Sequence, residues 1–143
     1  MTHTLENQAH RYEARLSSHV DELLRLDALL MELLSAWGVA ESLQSGVVVA
    51  VTEAVSNAIV HGNRQDPHKQ VQLIIEREPQ IDALRVIVED EGMGFDPQSI
   101  PDPTREDRLL VESGRGIFLM RAFADEVIYA KGGRCVELRF RLA

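Results

Sequence analysis

A carboxylate and an amide stand four residues apart at Glu53 and Asn57, inside an otherwise apolar stretch. On a helix that spacing puts both on one face, one turn apart. A carboxylate so placed can take the proton of an attacking hydroxyl or water. The amide oxygen beside it is a hard ligand of the kind magnesium accepts together with phosphate oxygens and water. Asp90 closes the β-branched run of residues 84–90, and a charge at the end of a buried strand calls for a dedicated donor. Two glycine pairs follow it, Gly92-Met93-Gly94 and Gly114-Arg115-Gly116. The second directly precedes the apolar residues 117–123, read as a short helix, whose unpaired amides and dipole favour phosphate. Gly92 and Gly94 permit close backbone approach to a base, and Gly114 and Gly116 permit it to phosphates. Together these residues describe an ATP site.

Each residue has a commoner fate when taken alone. Glutamate on an amphipathic helix is ordinarily a surface residue, and aspartate before glycine ordinarily opens a turn. Arg115 faces either phosphate, a partner or solvent. His61 lies on the stripe of Glu53 and Asn57 and is not assigned to catalysis. Ile59, Met93, Ile117 and Leu119 suit either a base pocket or core packing.

The elements that must hold these groups are legible as periodicities. Residues 10–17 read either as an edge strand or as the first turns of a helix. Leucines at 23, 24, 26, 29, 30, 33 and 34 recur at helical spacing until Gly38. A second helix begins near residues 41–42 and ends at Gly62-Asn63. On its wheel Val47, Val48, Val51, Val55 and Ile59 oppose the polar stripe, and Ala50, Ala54 and Ala58 flank it, leaving space. Residues 70–77 and 83–89 read as antiparallel strands. The span 95–113 carries Pro97, Pro101 and Pro103 among charged residues and reads as a lid. Residues 126–131 and 134–142 read as strands joined at Gly132-Gly133 by a turn requiring positive φ.

The order of these parts resembles the GHKL-type (Bergerat-fold) ATPases, which include histidine-kinase ATP domains, gyrase B and MutL, over roughly residues 42–142. Residues 53–62, within a segment of about 50–63, are similar to that family's N-box. Residues 90–95 resemble its first glycine box and 114–120 its second. Compactness, the N-box and the sequence Ala124-Asp125-Glu126-Val127 most resemble bacterial anti-sigma-factor serine/threonine kinases. The resemblance implies an α+β fold, a two-layer sandwich with a mixed, mostly antiparallel sheet covered on one face by helices. It implies Glu53 as general base and Asn57 as the Mg2+ ligand. It likewise implies that Asp90 receives the adenine amino group and that Gly92, Gly94, Gly114, Arg115 and Gly116 hold ATP. The implied partners are a sigma factor and a STAS-domain anti-anti-sigma protein, with a possible homodimer. One departure stands out: many members carry Gly-Thr in the last hairpin, where Gly133 is here followed by Arg134-Cys135.

Composition narrows the classes. The 143 residues suit a single domain over 1–143, and a net charge of −8 argues against a general nucleic-acid or membrane-surface binder. One cysteine, Cys135, suits a reducing cytosol. The first residues lack a basic and apolar leader, and no segment is expected to span a bilayer, so a cytoplasmic protein is expected. No Gly-x-x-x-x-Gly-Lys-Ser/Thr loop occurs, which removes the P-loop route to ATP. No transducer domain is expected beyond Ala143, an expectation that sets gyrase and MutL roles aside. Two alternatives to a kinase stay open: a non-catalytic nucleotide-dependent binding regulator, and a detached histidine-kinase-like ATP module.

Overall fold

The computed structural model describes residues 2–6, 10–78, 80–94 and 112–143, with side chains excepted at 2–6 and 112–115. Six strands form one sheet in the order β1-β2-β3-β4-β6-β5. They are β1 (Thr2–Glu6), β2 (Arg11–Ser17), β3 (Gln70–Glu78), β4 (Ala83–Glu89), β5 (Glu126–Ala130) and β6 (Cys135–Arg141). Among the described residues every pairing is antiparallel, so the sheet there is antiparallel rather than mixed. The physical reason lies in the connections: β3 to β4 and β5 to β6 are short returns, which join only antiparallel neighbours. Residues 11–17 are a strand, and β1 covers their outer side, so β2 is not an edge.

Alternation places one face of the sheet inside. Tyr12, Ala14 and Leu16 of β2, Val71, Leu73 and Ile75 of β3, Leu84, Val86 and Val88 of β4, and Val136, Leu138 and Phe140 of β6 are all buried. Against them lie helices α1 (Glu22–Ala36), α2 (Glu41–Asn57) and α3 (Glu112–Phe123). The opposite face carries a lattice of charge. Arg85 and Arg139 donate to the two carboxylate oxygens of Glu137 at 2.9 and 2.5 Å, while Arg11 donates to Glu13 at 2.8 Å.

The leucine stripe of α1 is core at Leu26, Leu30, Leu33 and Leu34, whereas Leu24 is exposed. Helix α1 stops at Ala36, and Gly38 adopts φ 72° two residues on. Helix α2 buries Val47, Val48, Val51 and Val55 together with Ala50 and Ala54, because it packs between α1, α3 and the sheet. It does not end as a regular helix. Residues Ala58–Gly62 form a π turn, closed by the Asn63 amide donating to the Ala58 carbonyl at 2.8 Å.

The continuous helix Glu41–Gly62 has 22 residues, and an 18-residue stretch of it has a mean hydropathy of 1.4, long and apolar enough by length and composition to cross a bilayer. That corrects the expectation that no segment reaches such length. Its apolarity has a local cause, since the face opposite Glu53 and Asn57 is buried in the core.

The expected lid falls largely on residues 95–111, outside the described residues, and its last two positions, Glu112 and Ser113, are the first residues of α3. Between β5 and β6 a short 3-10 turn, Lys131–Gly133, has Gly132 at φ 68° and Gly133 at φ 93°, the left-handed geometry expected there.

Candidate functional site

Helices α2 and α3 touch where α3 has no side chain. A Cβ built on Gly116 would lie 3.0 Å from a carboxylate oxygen of Glu53 and 3.1 and 3.2 Å from the amide nitrogen and oxygen of Asn57. Gly116 therefore lets the start of α3 settle on the two polar groups predicted to work together. The second glycine pair does not precede the helix as the sequence suggested. Gly114, Arg115 and Gly116 lie within the first turns of α3, which starts at Glu112. The free amides of a helix start still belong to this stretch, since the first four N–H groups have no intrahelical acceptor. The side chain of Arg115 lies outside the described residues.

Asn57 opens on a cavity of about 650 Å³ that Asp90, Gly92, Met93, Gly94 and Ile117 also line. That size suits a ligand as large as a nucleotide. Its apolar walls include Ala58, Val88, Met120 and Val136. Glu53 does not line this cavity; it shares the Gly116 contact with Asn57, which does. Ile59 is fully buried core rather than lining, and Leu119 is likewise not on the wall. Met93 lines the cavity and is 95% exposed. His61 lines it too, although the π turn breaks the regular spacing that put it on the stripe.

Asp90 is a buried carboxylate with a defined orientation. It accepts the Gly92 amide on Oδ1 at 2.7 Å, and its own amide donates to the Arg134 carbonyl at 2.9 Å. Burial pushes its carboxyl above the usual carboxylate range. The Gly92 hydrogen bond and the charges of Arg134 and Lys69 oppose that rise, and Glu89 adds to it. A Cβ on Gly62 would fall under 3.0 Å from the Asp90 carboxyl carbon and both its oxygens, and one on Gly92 would strike the Gly62 carbonyl. The end of the π turn and the start of the glycine loop are thus packed backbone to backbone around this carboxylate. Tyr129 of β5 lines the same cavity, and burial pushes its hydroxyl up to about 12.

Two participants escaped the sequence reading. Gly62 was read as a helix stop at the end of the N-box-like segment and given no role in the site, although its missing side chain is what admits Asp90. Asn63, almost fully buried, donates to the Ser18 hydroxyl and to the Gln70 carbonyl at 3.0 Å each, and accepts the Glu91 amide at 2.7 Å. It ties the π turn to β3 and to the residue after Asp90. The adjacency His61-Gly62-Asn63-Arg64 was the available signal, a buried amide directly behind a helix end.

Comparisons with known proteins identify the family and the fold. Residues 16–140 match the family model described as histidine kinase-like ATPase domain. An anti-sigma F factor of Shouchella clausii is 37% identical over 79 residues, 54% of this chain and 53% of the relative. The serine-protein kinase RsbW of Bacillus subtilis is 36% identical over 88 residues, 55% of this chain and 52% of the relative. The chain thus spans about half the length of these curated relatives. A crystal structure of the RsbU and RsbW domains of Rv1364c from Mycobacterium tuberculosis superposes with a TM-score of 0.61 at 20% identity, covering 92% of this chain and 32% of that one, a likeness of fold. With a family match over most of its length and the polar groups of α2 gathered under a glycine of α3, the chain belongs to the histidine kinase-like ATPase domain family.

Proposed function

We propose that this chain binds ATP and acts as a serine/threonine protein kinase and anti-sigma factor, phosphorylating a serine of a STAS-type anti-anti-sigma partner in the bacterial cytoplasm. The observation that carries the reading is the seat of Gly116 on both Glu53 and Asn57 beside a cavity that also holds Asp90. Names of relatives supply the partner class: anti-sigma F factor and serine-protein kinase. Asp90 accepts the exocyclic amine of adenine, and Gly92 and Gly94 let the base approach the loop. The free amides of residues 112–115 and the Arg115 side chain receive the triphosphate, with Gly116 admitting it to the helix start. Asn57 fits a magnesium site, because it lines the cavity and its amide group, which offers a hard oxygen, lies against a helix position without a side chain; the ion when bound would neutralise and align the phosphates.

In the transfer step the partner serine Oγ attacks the γ-phosphorus and the bond to the β,γ-bridging oxygen breaks. ADP leaves with that electron pair, and the serine proton passes to the Glu53 carboxylate. Incubation with labelled ATP and STAS-domain proteins tests the reading. Glu53→Gln is expected to lower transfer by roughly 10²–10⁴-fold while ADP still binds. Calorimetry that shows no binding of magnesium nucleotide to the unaltered protein overturns it.

A further inference from the structure

A buried hydroxyl that does not line the cavity is bonded to its walls. Ser18 stands one residue beyond β2, whose last rung with β3 pairs Ser17 with Gln70, and only 2% of it is exposed. Its hydroxyl donates to the Lys69 carbonyl at 2.6 Å and accepts from the Asn63 amide nitrogen at 3.0 Å. That nitrogen also donates to the Gln70 carbonyl at 3.0 Å, and the Asn63 amide oxygen accepts the Glu91 N–H at 2.7 Å. A primary amide has a donor end and an acceptor end, so its two orientations are not equivalent. Reversed, the Asn63 group would set its oxygen against the Gln70 carbonyl and its N–H bonds against the Glu91 N–H. Ser18, with its one proton committed to Lys69, can only accept from Asn63. Two acceptors thus decide which end of the amide meets Glu91. Glu91 lies between Asp90 and Gly92, and the Gly92 amide is bonded to the Asp90 carboxylate at 2.7 Å. Wall segments at Asn63, at Lys69 and at Asp90 with Gly92 are therefore joined through a residue that lies outside all three sequence motifs.

We propose that Ser18 is a positioning residue for base recognition: by holding the Asn63 amide in one orientation it fixes the Glu91 backbone and with it the direction of the Asp90 carboxylate. This rests on the ATP reading above, in which Asp90 accepts the exocyclic amine of the base. The physical reason is preorganisation. A buried network whose donors and acceptors are all matched is rigid, and a carboxylate already aimed loses no binding energy to being ordered. Without the hydroxyl, the Lys69 carbonyl loses a donor and the Asn63 nitrogen loses one of its two acceptors. The amide is then free to turn away from Glu91.

The test joins residue-resolved amide hydrogen exchange with calorimetry on the unaltered protein, Ser18→Ala and Ser18→Cys, the last keeping the volume while weakening both hydrogen bonds. In both variants the Glu91 amide is expected to exchange about three- to tenfold faster, while the amides of Val86 and Val88 in β4 keep their rates. Affinity for ADP should fall by a similar factor, and affinity for purine riboside 5′-diphosphate, which lacks the amine, should fall much less. Because Ser18 acts through Asn63, adding Ser18→Ala to Asn63→Ala should reduce the ratio of the two affinities no further than Asn63→Ala alone. Unchanged exchange at Glu91 overturns the inference. Faster exchange at every amide together, or an equal loss for both nucleotides, also overturns it, since each marks a hydroxyl that only supports the fold. If the unaltered protein binds neither nucleotide, the ATP reading itself fails; nucleotide binding with an undisturbed Glu91 amide in both variants sinks the Ser18 role alone.

Discussion

At the scale of single residues, Asp90 and the glycines around it make opposed demands on stability and binding. Its carboxyl is raised on folding, so the folded state holds a proton that the unfolded chain releases. Stability therefore falls as pH rises from the unfolded carboxylate value through the folded one. Asp90→Asn removes that penalty: thermal unfolding at pH 7 should occur at a higher temperature than in the unaltered protein, while calorimetry should show adenine nucleotide binding lost. Gly62→Ala should act differently, costing about 1–3 kcal/mol in denaturant unfolding and also weakening ADP binding, because the new methyl displaces the carboxylate. Of these residues, Asp90 and the first glycine loop were legible, since a charged residue at a strand end and a glycine-rich turn are local patterns. Gly62 was not, because its role arises from an approach between segments 28 residues apart, as the contact from Asn63 to Glu91 also is.

Among elements, α2 was legible where its periodicity is regular and illegible where it is not. The valines and alanines opposite Glu53 and Asn57 announce a core face, and that face is buried. The π turn leaves no mark on hydrophobic spacing, so a wheel of about 100° per residue was carried straight through it. Sheet order was equally hidden. Strand β1 has no strong pattern of its own, and the placing of β6 between β4 and β5 is a matter of long-range pairing. Asn63 is the joint between these elements. Asn63→Ala should leave the Glu91 amide and the Gln70 carbonyl short of partners, costing about 1–3 kcal/mol in urea unfolding and reducing nucleotide affinity in calorimetry. Leu34→Ala, in the fully buried face of α1, should cost about 2–5 kcal/mol by the same unfolding measurement.

For the molecule as a whole, the uncovered sheet face sets part of the response to acid. Burial pushes Glu137 up, but the hydrogen bonds and charges of Arg139 and Arg85 outweigh it and hold the carboxyl below its ordinary value. A lowered carboxyl contributes stability that is present above the unfolded value and lost as pH falls through the folded one. Glu137→Gln should thus be about 1 kcal/mol less stable at pH 7, and the gap should close in acid unfolding curves. The π turn reaches across the whole assembly in another way. Such a turn is an ordinary helical turn with one residue inserted, so chain length between 58 and 62 is itself a coordinate of the site. Deleting a single residue there would leave Glu53 and Asn57 undisturbed and rotate Gly62 by about 100° away from Asp90. The pair proposed to move a phosphate and the carboxylate proposed to choose a base are phased to each other by that one extra peptide unit, and a shortened helix would preserve the first while silencing the second.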